Sequence, residues 1–109
     1  MPTVYVVNKG SHDHSDAERY GEIRYLTKGK VSRYATNNMW REFFPTLKDS
    51  KPEDYILVTG LTVMNIVATS IFSSLHGKIN LLLYKGPTRD EPGRYVERTF
   101  LPLGQGGER

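Results

Sequence analysis

Tyr55-Ile56-Leu57-Val58-Thr59-Gly60-Leu61-Thr62, running on through Val63-Met64-Asn65-Ile66-Val67-Ala68 to His76-Gly77 and then into Ile79-Asn80-Leu81-Leu82-Leu83-Tyr84, decides the fold class. The first run is continuously apolar rather than alternating, which is the pattern of a strand covered on both faces in a parallel sheet. Gly60 ends it, and Thr62 is positioned to cap a helix carrying Val63, Ile66, Val67, Ile71 and Phe72, widened by Met64, Ala68 and Leu75. Gly77 offers the left-handed stop at the end of that helix. A second apolar strand follows almost at once, and a strand-helix-strand run of this length is most economically a right-handed parallel crossover.

Working outward, Thr3-Val4-Tyr5-Val6-Val7 is β-branched and aromatic and breaks into Asn8-Lys9-Gly10-Ser11, the signature of a buried strand ending in a loop. Ser11 to Asp16 is polar and turn-prone, and Ala17 to Tyr20 suits a helical turn. Ile23 to Leu26 reads as a second strand, closed by the turn Thr27-Lys28-Gly29-Lys30. Thr36 or Asn37 can cap a short helix in which Met39, Trp40, Phe43 and Phe44 form an apolar stripe. Pro45 lacks an N–H and is expected to kink or restart that helix. After a loop from Lys85 to Gly93 with two prolines, Tyr95 to Leu101 reads as a last strand, antiparallel to its predecessor. The expectation is an α/β fold: a small mixed sheet of about five strands, a central right-handed strand-helix-strand unit and two main helices. It forms a single domain over residues 1–103, with a flexible tail at 104–109.

Composition bounds the function classes. A chain of 109 residues, 38% apolar and 25% charged, supports one hydrophobic core and has the balance of a globular protein. It contains no cysteine, which excludes disulfides and thiolate metal sites. No run approaches the roughly 18 apolar residues of a membrane span, and Met1 to Asn8 has no basic leader, so a cytoplasmic location without membrane contact is expected. A formal charge of +3 permits an anionic partner without requiring one.

If the strands at 3–7 and 55–59 run parallel, the loops that follow them share one edge of the sheet, where ligands of open α/β folds gather. Asn8, Lys9, Ser11, His12, Gly60, Thr62 and Asn65 are the candidate ligand residues there. Free N–H groups at a helix start, hydroxyls and a lysine suit phosphate. Plain turn and cap duty is the alternative for Gly60 and Thr62, and a bond to a neighbouring loop is the alternative for Asn65. His12-Asp13-His14 with Asp16 contains metal-ligand types, but a closed site would need further carboxylates and water. No metal and no cofactor are therefore expected, and the segment serves acid/base chemistry, ligand contact or only a solvated loop. His76 reads as a helix C-terminal residue.

Arg24, Lys28, Lys30, Arg33 and Arg41 lie in a stretch without acidic residues, interleaved with Tyr25, Tyr34 and Trp40. Within it Arg24, Lys28, Lys30, Arg33 and Tyr34 are the candidate nucleic-acid contacts, since such a mixture neutralises phosphates and stacks bases. The alternative is a solvated basic face with aromatics in the core or at an interface. No nucleophile elbow, Walker loop or dinucleotide fingerprint is present. Whether the protein is an enzyme stays open.

Val4-Tyr5-Val6-Val7-Asn8 and the run from Gly60-Leu61-Thr62 to Gly77 resemble the small viral ring nuclease and anti-CRISPR family of archaeal viruses and phages. The resemblance implies a homodimer, a phosphate-rich nucleotide ligand and a viral setting, with Asn8 and Gly60 as pocket-wall residues. The family's catalytic histidine follows the turn glycine, where this chain has Leu61, so cleavage by that route does not carry over. Three readings result: a small phage binding protein with a phosphate- or nucleotide-binding edge, a nucleotide- or phosphoester-cleaving enzyme using His12 or His14, and a single-stranded nucleic-acid binder. The few polar positions of the 62–76 helix add the expectation of a homodimer covering it.

Overall fold

Five strands, β1 (Thr3–Val6), β2 (Glu22–Tyr25), β3 (Tyr55–Leu57), β4 (Ile79–Lys85) and β5 (Arg94–Phe100), form one sheet in the order β2-β1-β3-β4-β5. This is the arrangement in the computed structural model of the protein, which describes residues 1–104. β1 pairs in parallel with β2 and β3, β3 in parallel with β4, and β5 closes the sheet antiparallel to β4. Two helices, α1 (Thr36–Leu47) and α2 (Thr62–His76), and a short 3-10 helix (Ser15–Arg19) complete the fold. The tail expected from residue 104 lies, from residue 105 onward, outside the described residues. Among the described residues no helix is long and apolar enough to cross a membrane.

Alternation along the strands sorts the core into two halves. Tyr5, Val7 and Ile56 face the helices, where they cluster with Met39, Phe43 and Leu47 of α1 and with Met64, Ala68, Ile71 and Phe72 of α2. Val4, Val6, Leu57 and Leu82 face the other way, onto Ala17 of the 3-10 helix and Tyr95. Tyr20, Tyr25 and Tyr55 fill out this second face. Two long helices thus cover one side of the sheet, whereas one helical turn and a group of tyrosines cover the other. Covering on both sides is why the strand sequences read as continuous apolar runs.

Several local expectations need correction. Neither Thr62 nor Thr36 or Asn37 caps a helix: the capping positions are Leu61 and Ala35, without a side-chain cap bond. The turn before α2 is closed from inside the helix instead. Asn65 Nδ2 donates to the Thr59 carbonyl at 2.8 Å, and Leu61 N donates to Thr59 Oγ1 at 3.1 Å. The bond to a neighbouring loop, the plainer of the two roles weighed for Asn65, is therefore the one it performs. α1 runs as one element through Pro45 to Leu47 rather than restarting. Pro45 falls in its last turn, where buried Phe43 and Leu47 hold the backbone against the sheet. The stripe of four also divides: Met39 and Phe43 are buried, while Trp40 stacks on Phe44 with ring centroids 4.6 Å apart and turns outward. Gly77 does end α2 in the left-handed region, at φ 72°.

At the amino-terminal edge of the sheet a polar clamp takes the place of packing. The buried Asp54 carboxylate accepts Thr3 N at 2.9 Å and Lys51 N at 2.8 Å. Asn80, also buried, donates from Nδ2 to the Pro52 and Asp54 carbonyls and accepts from Thr99 Oγ1 at 3.0 Å. These bonds tie the starts of β1, β3 and β4 and the end of β5 together, leaving the opposite edge free for loops.

Candidate functional site

Strand order reverses between β1 and β3: the chain leaves β1 toward β2 on one side, while β3 and β4 lie on the other. Loops departing in opposite directions open a crevice at the carboxyl ends of these two strands, the usual ligand position in such sheets. Two adjoining clefts occupy it. One, of about 410 Å³, is walled by the loop from Asn8 to His12 and by Gly60 and Leu61. The other, of about 620 Å³, is walled by Val58, Leu83, Tyr84 and Tyr95 and by Asp13. His12, His14, Thr59 and Gly60 belong to both.

His14 sits at the junction and is only 6% exposed. Its Nδ1 lies 3.3 Å from the Tyr25 hydroxyl, and among the described residues its Nε2 has no hydrogen-bond partner. Burial pushes its pKa down, and neighbouring His12 adds to the effect against the opposing pull of Asp13. The ring is therefore neutral near pH 7, able to donate or accept according to tautomer. Asp13 is held ionised by Ser15 N, which donates to Oδ1 at 2.8 Å and lowers its pKa. The Lys9 ammonium stands 5.6 Å from the centre of the Tyr25 ring, on the same side of the loop.

The sequence candidates distribute unevenly around this crevice. Asn8, Ser11, His12 and Gly60 line it, while Lys9, between the lining residues Asn8 and Gly10, reaches over the Tyr25 ring. Asn8 donates to the Gly29 carbonyl and accepts from Thr27 Oγ1, both at 2.8 Å, which ties the two loops together and leaves one amide N–H. Thr62 and Asn65 fall outside both clefts and line a separate shallow hollow beside β4. Gly60 takes no positive φ, and a Cβ there would meet nothing within 4 Å, so its backbone needs no glycine.

The basic segment converges on the same edge. Lys9 and Lys28 form a parallel bridge, and Lys9 N donates to the Thr27 carbonyl at 2.8 Å, which lays the loop after β2 against the loop after β1. Lys28, Lys30, Arg33 and Tyr34 are all exposed along that loop, and the Arg33 guanidinium lies 5.1 Å from the Tyr34 ring centre. Arg24 is separate, paired with Tyr5 within the sheet on the helix-covered face. His76 lies away from the crevice, with Nε2 2.8 Å from Ser50 Oγ.

Val58, Leu83, Tyr84 and Tyr95 line the crevice without having been candidates in the sequence. Tyr84 and Tyr95 are register partners across β4 and β5, their rings edge to face at 5.3 Å. The hairpin register would have opposed them on one face, had the Lys85 to Gly93 loop fixed it. Among the described residues there is no cluster of three or more His, Asp or Glu side chains arranged to hold a metal ion. A family model described as Phage Pam3 gp32-like protein matches residues 2–100. No curated protein and no solved structure matches the chain.

Proposed function

As the chain belongs to the phage Pam3 gp32-like protein family, we propose that it is a phage-encoded binding protein that takes a phosphorylated ligand in the crevice between β1 and β3. The observation that carries this reading is the position of the two adjoining clefts at the reversal of strand order, where Lys9 of the loop walling one of them bridges to Lys28 of the loop after β2. Their volumes fall within the roughly 300–1,000 Å³ of small-molecule sites. The family match supports a phage setting and extends no support to ring-nuclease chemistry.

A thermal-shift screen against inorganic pyrophosphate, nucleotides and short oligonucleotides tests the reading. A ligand that binds only the folded state adds about 2.7 kcal/mol of stability at 100 times its Kd. Gly60→Val should fold as the parent does, because its side chain enters open space, and should abolish the shift by filling the crevice. A shift that persists in the folded variant puts the ligand elsewhere. Binding through Lys9 and Lys28 must also weaken as salt rises, by the counterion argument.

A second reading concerns assembly. Between α1 and α2 runs a groove of about 500 Å³, walled by Trp40, Phe44, Ile66 and Leu75 and by no charged residue. Trp40 is 48% and Ile66 56% exposed. An uncharged surface of this kind suits its own copy related by a two-fold axis, so the protein works as a homodimer. Sedimentation at micromolar concentration is expected to give a dimer, and Ile66→Glu a folded monomer. A monomeric parent removes this reading and leaves the crevice untouched.

A further inference from the structure

We infer that the crevice is a nucleoside phosphate site with two chemically distinct halves, the phosphate lying in the Asn8 to His12 half and the base in the Tyr84–Tyr95 half. The inference rests on the ligand reading above and specifies which class of phosphorylated molecule fits. A bare phosphate would need only the first half. The second, larger half adds Val58, Leu83, Tyr84 and Tyr95 to the residues that the two halves share, and its two tyrosine rings give a planar base a stacking surface that a bare phosphate would not use.

The two tyrosines are suited to different parts of that task. Tyr95 is buried and fixed: its N donates to Asp16 Oδ2 at 2.8 Å, and its carbonyl accepts from the Tyr20 hydroxyl at 3.1 Å and from Arg19. Tyr84 is 58% exposed and meets Tyr95 edge to face. Gly93 leaves the room that the Tyr84 ring occupies, since a Cβ there would strike the tyrosine hydroxyl.

Charge orients the ligand. Asp13 lines the aromatic half and is ionised, so phosphate is repelled from it, while Lys9 stands beside the other half. The exposed Asp13 carboxylate is an acceptor suited to ribose hydroxyls or an exocyclic amine. Between the halves, His14 offers a neutral Nε2 without a protein partner, in reach of the sugar-phosphate junction that both clefts share.

Isothermal titration of the full chain with pyrophosphate, adenosine, and the 5′-monophosphates of adenosine and uridine separates the possibilities. Tyr84→Ala, at an exposed position, is expected to weaken the monophosphates by about tenfold while leaving pyrophosphate within about twofold. Lys9→Ala is expected to weaken pyrophosphate and the monophosphates together and to leave adenosine unchanged. Monophosphates that bind no more tightly than pyrophosphate, or that ignore Tyr84→Ala, overturn the two-half assignment while the phosphate site stands. No binding by any of the four probes overturns the crevice reading itself and this inference with it.

Discussion

Phe43→Ala is expected to lower the free energy of unfolding by about 3–5 kcal/mol, a large share of the roughly 5–15 kcal/mol that holds an ordinary domain together. Phe43 has no exposed surface and belongs to the cluster in which α1 meets α2 and the sheet. Truncation removes the transfer energy of the ring and leaves a cavity that Met39, Leu47 and Phe72 can only partly refill. Urea titration followed by far-ultraviolet circular dichroism measures it, with a lower midpoint at unchanged slope. A loss below about 1 kcal/mol would mean that α1 does not pack as described. The consequence reaches the site indirectly, since α1 and the loop before it carry Arg33 and Tyr34 back to the crevice edge.

The second large effect lies at the opposite edge. Asp54→Ala removes a buried carboxylate that accepts two backbone N–H groups, and hydrogen bonds to charged groups contribute about 1.5–3 kcal/mol each. A combined loss of about 3 kcal/mol is expected, because the two bonds share one acceptor and do not add fully. Asp54→Asn keeps one acceptor oxygen and should recover part of it. Hydrogen exchange supplies the discriminating readout: the Thr3 and Lys51 amides should lose protection in Asp54→Ala. Unchanged protection at both would show that the clamp does not operate in solution.

The long apolar runs made the sheet and α2 legible, because burial on both faces leaves its mark directly in composition at 3–7, 55–59 and 79–84. Gly77 marked the helix end for the same local reason, a conformation that glycine tolerates best. The caps were not legible. Thr62 has the right chemistry at the expected position, yet Asn65 closes the turn, and that choice depends on how Thr59 leaves β3. The clamp at Asp54 and Asn80 left no mark in the sequence, since Thr3 and Thr99, which they bond, lie far away in the chain. The crevice was half legible. The phosphate-friendly loops follow from strand direction alone, whereas the aromatic half requires the β4–β5 register and the path of the histidine loop over it. Lys9 of the edge loop and Lys28 of the basic segment meet because β2 runs parallel to β1 and delivers its loop to the same end.

The strand nearest the start of the chain is an interior strand of the sheet, and this governs how the protein must acquire its structure. Val4 pairs with Ile23 on one side and with Tyr55 on the other, so β1 cannot be completed until more than half of the chain is available. The β3-α2-β4 unit, whose contacts are close in sequence, is the natural nucleus, and insertion of β1 is the late event that closes a long loop at an entropic cost. Until then the apolar run at 3–7 can pair only with β2 and keeps its other edge open in a growing or refolding chain, which makes aggregation rather than slow chemistry the hazard of its folding pathway.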